Sequence, residues 1–250
     1  MNVLVFGATG GTGRALVAQA LQRGHVVTAF ARDPAKVGIA HEKLHVAKGN
    51  ILDYDAVKAA ARNQDVAVSA LGVRPRVGAV IFMAIACQLF ARLAGLSGPL
   101  GWLVGLGLPL LAILIAQRRT ITLSEGTKNI VRAMEELGVR RLVCQSSLGI
   151  GDSREQLGFL YQYIMIPMFL RHIFADKELQ EKVIKGSKVQ WVIVRPGALT
   201  NGSGTGNYRS WTGRPDAPIR RRISRADTAD FMLPELGEDT YLAKTPGLSY

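Results

Sequence analysis

Close to its first residue the chain reads Val3-Leu4-Val5-Phe6-Gly7-Ala8-Thr9-Gly10-Gly11-Thr12-Gly13-Arg14, an apolar run that leads directly into a glycine-rich turn. The residues from Arg14 to Arg23 then have the pattern of a helix. Glycines let a backbone turn tightly and approach a ligand, because they have no Cβ. A helix that starts at such a turn points free N–H groups and the positive end of its dipole at it. The order strand, turn, helix therefore predicts a site for the pyrophosphate of a dinucleotide, with a merely structural turn as the alternative.

Strand and helix patterns alternate along the rest of the chain. Strands are predicted at residues 2–6, 25–31, 44–48, 65–70, 141–146 and 190–195. Helices are predicted at residues 14–23, 54–62, 124–137 and 175–185. This alternation predicts an α/β fold with a Rossmann-like, doubly wound parallel sheet. Residues 1–250 are expected to form one dinucleotide-binding domain that carries an insert at residues 74–119.

The composition limits the class of protein. Cys87 and Cys144 are the two cysteines and lie far apart, so no disulfide framework is expected, and a location facing a reducing cytoplasm is favoured. No secretory signal pattern precedes the first strand. The net charge of +12 favours anionic partners such as nucleotide phosphates or acidic lipid. We find neither a motif that reads nucleic acid nor a spacing of metal ligands, so neither partner is predicted.

Residues 74–119 interrupt the alternation with two apolar runs, 77–95 and 100–117. Each run approaches the length needed to cross the hydrocarbon core of a bilayer. Arginines flank the pair on both sides: Arg74, Arg76, Arg118 and Arg119. A helical hairpin would place these arginines together, as the cytoplasmic face of a membrane prefers. We predict an apolar helical-hairpin insert after strand four that contacts a membrane or a membrane-protein complex through residues 77–117. A flap over the substrate pocket or a dimer interface is the alternative.

The second predicted strand ends at Ala31-Arg32-Asp33. Proteins that prefer NAD usually have an acidic residue here, which binds the ribose 2′-OH. The guanidinium of Arg32 can instead fork around a 2′-phosphate, and Lys36 adds a second positive charge. NADP(H) is therefore favoured over NAD(H). Asp33 leaves some use of NAD open, and a solvated surface arginine is the other interpretation of Arg32.

Two further positions are expected to contact the cofactor, each at the end of a predicted strand. Gly49-Asn50-Ile51 follows strand three, where Asn50 either binds the adenine or caps a turn. Leu71-Gly72 ends strand four and would lie over the ribose and pyrophosphate, because Gly72 permits a close approach of the backbone.

Five motifs occur together in this chain: Gly7–Gly13, Ala31-Arg32-Asp33, Cys144-Gln145-Ser146-Ser147, Trp191–Gly197 and Ile223–Ala229. Their combination resembles an atypical short-chain dehydrogenase/reductase of the NmrA-like and biliverdin reductase B (flavin reductase)-like group. The resemblance covers nearly the whole chain except about residues 74–119. It implies an NADP(H)-binding Rossmann fold whose cofactor contacts are Gly7, Thr9, Gly10, Gly11, Thr12, Arg32, Lys36, Asn50, Ile51, Leu71 and Gly72. The position of Asn50 is commonly an aspartate in that group, so the chain departs from the pattern there.

The catalytic residues are less evident than the cofactor contacts. Short-chain dehydrogenases typically use a Tyr-x-x-x-Lys pair after strand five, in which the lysine lowers the pKa of the tyrosine. Tyr161 and Tyr163 in that region have no lysine four residues later. The literal match Tyr54–Lys58 lies between strands three and four, which we interpret as chance. Reduction of a simple carbonyl through a tyrosine is therefore not predicted.

Ser146 and Lys177 are the remaining candidates for catalysis. Ser146 lies at the carboxyl end of a predicted parallel strand, where ligands bind in open sheets. It could hydrogen-bond a substrate carbonyl or the nicotinamide amide, or it could simply cap the strand. Lys177 could donate to the ribose or to a substrate anion, or it could be a surface lysine that pairs with Glu181.

Two functions are consistent with these patterns. The first is an NADP(H)-dependent oxidoreductase that transfers hydride to a conjugated or lipophilic acceptor such as a flavin, a tetrapyrrole or a quinone-like molecule. Such acceptors need less acid catalysis than a ketone, and loop 201–207 would border them. The second is a non-catalytic sensor or scaffold that binds NAD(P)H within a membrane-associated complex. Both place the protein on the cytoplasmic side of the cell.

Overall fold

The computed structural model describes residues 1–73, 85–89, 92, 95, 98–102, 107 and 120–250. The strands are β1 (Asn2–Phe6), β2 (Val26–Ala31), β3 (Leu44–Lys48), β4 (Val66–Ser69), β5 (Arg141–Gln145), β6 (Gln190–Pro196), β7 (Ala198–Thr200), β8 (Arg209–Trp211), β9 (Arg222–Ser224) and β10 (Gly247–Ser249). The α-helices are α1 (Gly11–Gln22), α2 (Tyr54–Ala61), α3 (Gly98–Trp102), α4 (Thr122–Leu137), α5 (Arg171–Lys185) and α6 (Arg225–Met232). Shorter 3-10 turns lie at Pro34–Lys36, Gly151–Gln156 and Pro234–Leu236, and Tyr161–Leu170 is a π-helix.

Within the described residues the main sheet has the order β3-β2-β1-β4-β5-β6-β10-β8. Every pairing in it is parallel except that of β10 with β8. A separate parallel pair joins β7 and β9. The direction of strand addition reverses between β1 and β4, which is the topological switch point where open α/β sheets bind dinucleotides. The predicted Rossmann-like, doubly wound sheet is therefore confirmed.

The core consists of two layers, one on each face of the sheet. Successive side chains of a strand point to opposite faces, so β1 contributes Val3 and Val5 to one layer and Leu4 and Phe6 to the other. Helices α1 and α6 cover the first layer, and α2 and α4 cover the second. Because Val3–Phe6 of β1 are buried on both faces of the sheet, this part of its sequence is continuously apolar, which is why the strand could be recognised directly.

The chain divides into two compact units. The first contains residues 1–72, 121–157 and 176–250, and it includes the whole sheet. The second contains residues 73–120 and 158–175. Most of the predicted insert at 74–119 lies outside the described residues, so the helical hairpin stays a prediction. None of the helices in the described ranges combines the length and apolarity that a membrane span requires.

Candidate nucleotide-binding site

The glycine-rich turn is built so that only glycine fits at its two key positions. A Cβ on Gly13 would lie 2.0 Å from the carbonyl oxygen of Gly7. Gly7 has a φ of +77°, and a Cβ there would lie 2.6 Å from the carbonyl oxygen of Ala70. The turn is closed by a 2.9 Å hydrogen bond from Gly10 N to Gly7 O. Strand β1, the turn and the end of β4 are therefore packed together with no side chain between them.

Helix α1 starts at Gly11 without a side-chain cap and without an acidic residue in its first turn. The first N–H groups of a helix have no partner inside the helix, so here they are open to an anion. Thr9 is half-buried in the turn, and Thr12 is buried in the first turn of α1. The turn, with Gly10 at the N-cap, thus has the shape and polarity of a phosphate cradle.

Three basic residues, Arg32, Lys36 and Arg14, lie near the end of β2 together with the carboxylate of Asp33. Arg32 follows β2 directly and is exposed, and no described residue forms a hydrogen bond or ion pair with its side chain. Lys36 Nζ lies 3.1 Å from Asp33 Oδ2, and this hydrogen bond is the main cause that lowers the pKa of Asp33. Asp33 is therefore already occupied by Lys36. Arg14, which sequence reasoning did not single out, donates from Nη2 to the carbonyl oxygen of Lys36 at 3.1 Å.

Asn50 and Ile51 form the turn after β3. Asn50 Oδ1 accepts a hydrogen bond from Leu52 N at 3.2 Å, so the residue caps this turn, while it remains exposed. The side chain of Ile51 is buried, and a Cβ on Gly126 would lie 2.6 Å from its Cγ1. Its carbonyl oxygen accepts from Asn129 Nδ2 at 3.0 Å. The side chain of Ile51 thus belongs to the core, and a cofactor contact there would involve the main chain.

Leu71 and Gly72 come directly after the end of β4. Leu71 is half-buried and packs on the core layer below α2 and α4. Gly72 is exposed, and a Cβ there would meet no described atom within 4 Å. The structure therefore leaves open space above the backbone at the position where sequence reasoning placed the ribose.

Ser146 lies at the carboxyl end of β5 but faces into the protein. It is 2% exposed, its N–H donates to Val194 O at 2.7 Å, and its Oγ donates to Glu181 Oε1 at 2.6 Å. Burial acts to raise the pKa of Glu181, but the hydrogen bonds from Arg195 and Ser146 outweigh it and hold the pKa below its ordinary value. The hydroxyl of Ser146 thus donates its hydrogen bond to a buried carboxylate.

Lys177 on α5 is buried rather than at the surface, with 8% of its area exposed. Among the described residues no hydrogen bond or ion pair is made by its ammonium group. The carboxylate of Glu181 is bound by Ser146, Arg195 and Lys185. Burial lowers the pKa of Lys177, although the nearby groups Cys144, Glu181 and Asp176 act against this. Ile173 stands four residues before Lys177, which is where a Tyr-x-x-x-Lys pair would have its tyrosine.

The literal match Tyr54–Lys58 lies on α2 and is engaged in another interaction. Lys58 Nζ is 2.7 Å from Glu136 Oε2 on α4. The lysine therefore links two helices on one side of the sheet, which agrees with its interpretation as a chance match.

Sequence reasoning missed a buried ion network at the end of β6. Arg195 Nε lies 3.0 Å from Glu181 Oε1 and its Nη2 lies 2.7 Å from Glu181 Oε2. Its Nη1 lies 2.5 Å from Asp152 Oδ1. Arg195 thereby joins the sheet, α5 and the 3-10 turn at Gly151–Gln156. The motif Trp191–Gly197 contained the arginine, but no local pattern indicates a partner 14 or 43 residues away.

A groove of about 540 Å³ lies beside this network. It is lined by Asp152, Glu155 and Gln156 and by residues 213–219 and 221. Its volume is in the range of pockets that hold small organic molecules, about 300–1,000 Å³. Arg214 and Arg221 line the groove together with Asp152, Glu155 and Asp216, so its lining has both signs of charge.

Comparison with known proteins agrees with this geometry. The model of the NAD(P)H-binding family matches residues 7–97 and 107–239. An uncharacterized chloroplastic protein of Arabidopsis thaliana is 28% identical over 211 residues, which is 82% of this chain and 62% of that protein. The chain therefore spans less than two thirds of that relative.

Solved structures of three other proteins share the fold. An anaerobillin reductase from Escherichia coli O157:H7 superposes with a TM-score of 0.70 at 19% identity, over 100% of this chain and 97% of that one. A putative NAD-dependent epimerase/dehydratase from Bacillus halodurans gives 0.67 at 23% identity, over 100% and 94%. A short-chain dehydrogenase/reductase from Veillonella parvula gives 0.68 at 14% identity, over 99% and 93%. The chain belongs to the NAD(P)H-binding family, as the match over most of its length shows.

Proposed function

We propose that this protein is an NADPH-dependent oxidoreductase that reduces a conjugated or lipophilic acceptor. The observation that carries the cofactor preference is Arg32, an exposed guanidinium at the end of β2 without a partner among the described residues. Lys36 and Arg14 add charge beside it, and Asp33 is occupied by Lys36. A 2′-phosphate would find cations here, whereas a ribose 2′-OH would find its usual acceptor already engaged.

The nicotinamide supplies hydride when it is bound, and the protein residues orient the reactants. The acceptor class follows from what the site lacks. Ile173 replaces the expected tyrosine, and Ser146 is turned toward Glu181, so strong acid catalysis from these positions is absent. Flavins, tetrapyrroles and quinone-like molecules delocalise the charge that hydride brings and need less proton donation than a ketone. The similar fold of an anaerobillin reductase makes a tetrapyrrole a sensible first acceptor to assay.

The test is oxidation of NADPH in the presence of flavin, quinone and biliverdin acceptors at saturating cofactor. We expect turnover with at least one of them. Turnover no higher than the rate without protein, for all three, would overturn the proposal.

The burial of Ser146 favours a second candidate function, that of a non-catalytic NAD(P)H sensor or scaffold in a membrane-associated complex. A protein of this kind would bind NADPH tightly without turnover and would co-purify with membrane proteins. Isothermal titration with NADPH, together with the turnover assay, separates the two functions. Binding without turnover supports the sensor, and turnover excludes a purely non-catalytic role.

The replacement Arg32→Ala tests the cofactor preference. Hydrogen bonds to charged groups contribute about 1.5–3 kcal/mol, so we expect NADPH to bind about 10- to 100-fold more weakly, with little change for NADH. Arg62→Ala is the control, since Arg62 is also exposed but follows α2 at the opposite end of the sheet. An equal loss of affinity for both coenzymes would contradict the role of Arg32.

We also propose that the protein contacts a membrane or a membrane-protein complex on the cytoplasmic side through residues 77–117. The apolar runs and their flanking arginines support this partner. In the described part of the second unit, large apolar side chains are exposed: Ile85, Leu89, Phe159, Leu160, Tyr161, Tyr163 and Ile164. The sequence did not predict that residues 159–164 belong to an exposed apolar surface. Such a concentration of exposed apolar groups is typical of a surface that contacts another apolar surface.

Replacing residues 77–117 by a short glycine-serine linker tests this contact. We expect the protein to move from the membrane pellet to the supernatant, because both apolar runs, 77–95 and 100–117, would be removed. Retained binding of NADPH would show that the sheet still folds. The double variant Ile85→Glu/Leu89→Glu is a milder change at two exposed positions and should act in the same direction. Unchanged partitioning of the linker variant would rule out the anchor.

A further inference from the structure

The first turn of α6 lies directly against the glycine-rich turn. A Cβ on Gly11 would lie 2.4 Å from Arg225 Cδ and 2.7 Å from Arg225 Nε. The side chain of Arg225 therefore crosses the first residue of α1. Two contacts fix this arrangement: Gln19 Nε2 donates to Ala226 O at 2.9 Å, and Arg23 pairs with Asp230 at 2.6 Å.

The charge of Arg225 is in an unusual place for a cation. The N-terminus of α1 is the positive end of the helix dipole, which favours anions and disfavours cations. No carboxylate in the described part of the chain pairs with Arg225, and its partner is the neutral Asn201 Oδ1, at 2.5 Å. An anion bound between the helix end and the guanidinium would be stabilised by both.

Asp227 is the nearest carboxylate along α6, but its oxygens are already used. Oδ1 accepts from the main-chain N–H groups of Thr205 at 2.7 Å and of Gly206 at 2.8 Å. Oδ2 accepts from Ser224 Oγ at 2.9 Å and from the hydroxyl of Tyr250 at 2.5 Å. Asp227 therefore anchors the glycine-rich loop 201–207 to α6 and does not neutralise Arg225.

We propose that Arg225 binds the pyrophosphate of the dinucleotide and that Asn201 holds its guanidinium in position. Arginine has five N–H donors, and one contact to Asn201 leaves others for a phosphate. The contact comes from outside the glycine-rich turn and brings loop 201–207 to the edge of the cofactor. This inference rests on the binding of a dinucleotide by this family and does not depend on the preference for NADPH or on turnover.

The test is isothermal titration of Arg225→Gln with NADPH, NADH and adenosine 2′-monophosphate. We expect both coenzymes to bind roughly tenfold more weakly, with their ratio of affinities unchanged, because both contain the pyrophosphate. Adenosine 2′-monophosphate has no pyrophosphate and should bind as before. Arg32→Ala should instead weaken the binding of NADPH and adenosine 2′-monophosphate and leave that of NADH nearly unchanged. Failure of one proposal is therefore distinguishable from failure of the other.

Arg222→Gln is the matched control, since Arg222 is exposed three residues earlier on β9. If Arg225→Gln does not fold, Asn201→Ala keeps the charge and removes only the positioning contact, and a loss of about threefold for both coenzymes is expected. Unchanged affinity for NADH in a folded Arg225→Gln would overturn the proposal. So would an equal loss for NADH and adenosine 2′-monophosphate, which would indicate a general distortion of the site.

Discussion

Arg195→Met is expected to lower the free energy of unfolding by about 3–5 kcal/mol, the usual cost of removing one partner of a buried ion pair. The side chain of Arg195 is 2% exposed and that of Glu181 is 4% exposed, so the substitution would leave the carboxylate buried without its main partner. Urea denaturation at pH 7 measures the change. The turn at Gly151–Gln156 would also lose its link to the sheet through Asp152.

Lys185→Met is the matched control for this prediction. Lys185 Nζ lies 3.4 Å from Glu181 Oε2, but its side chain is 41% exposed. Exposed pairs contribute at most about 1 kcal/mol, so the control should lose little stability. Similar losses in Arg195→Met and Lys185→Met would show that the network does not determine the stability of this region.

The same network predicts a dependence of stability on acid. The pKa of Glu181 is lower in the folded protein than its ordinary value of 4.5. The stabilisation is therefore fully present above pH 4.5 and is lost as the pH falls through the folded pKa. We expect the wild-type protein to lose stability more steeply below that pH than Arg195→Met, in which the pKa of Glu181 is no longer lowered by the guanidinium.

The parts of the fold that follow from local patterns could be predicted from the sequence. The strands at 2–6 and 44–48 were predicted with the bounds that the structure has. An apolar run marks the first strand, and turn residues flank the second. The C-terminal strands were not predicted, because β7, β8, β9 and β10 each have three residues, too few to show a period. Helix α6 was not predicted either, although the sequence has an N-terminal cap signal for it. Ser224 accepts from Asp227 N at 2.9 Å, as a Ser-x-x-Asp cap does.

The candidate site also has a part that could be predicted from local sequence and a part that could not. The glycines of the turn and the position of Arg32 follow from one strand-turn-helix unit, so their placement was recoverable from the sequence. The orientation of Ser146 was not recoverable, since it depends on Glu181, 35 residues later. Arg225 reaches Gly11 across more than 200 residues, and only the packing of α1 against α6 brings them together. Long-range pairing of polar groups leaves no periodic trace in a sequence.

Lys177→Met is expected to change turnover and stability in opposite directions. The ammonium of Lys177 is buried and has no hydrogen-bond or ion-pair partner among the described residues, so its charge costs folding free energy. Removing it should raise the free energy of unfolding by about 1–2 kcal/mol, within the range of stabilising substitutions. If the group donates a proton or hydrogen bond during reduction, kcat should fall on the order of 100-fold or more.

The dependence of stability and turnover on pH tests whether the charge of Lys177 causes both effects. The pKa of Lys177 is lowered from 10.5 in the folded state, chiefly by burial. The cost of the charge is therefore present below the folded pKa and disappears as the pH rises toward 10.5. The gain in stability of Lys177→Met over wild type should shrink over the same range. The turnover of the wild type should fall as the pH rises through the folded pKa.

Lys182→Met, an exposed lysine on the same helix, is the control and should change neither quantity. Combined measurement of kcat and of urea denaturation then distinguishes a catalytic from a structural lysine. A structural lysine would give a less stable protein with unchanged kcat once folded. A gain in stability together with a loss of turnover would identify Lys177 as a catalytic residue. The protein would then keep this unpaired charge in its interior, at the expense of stability, because the reaction uses it.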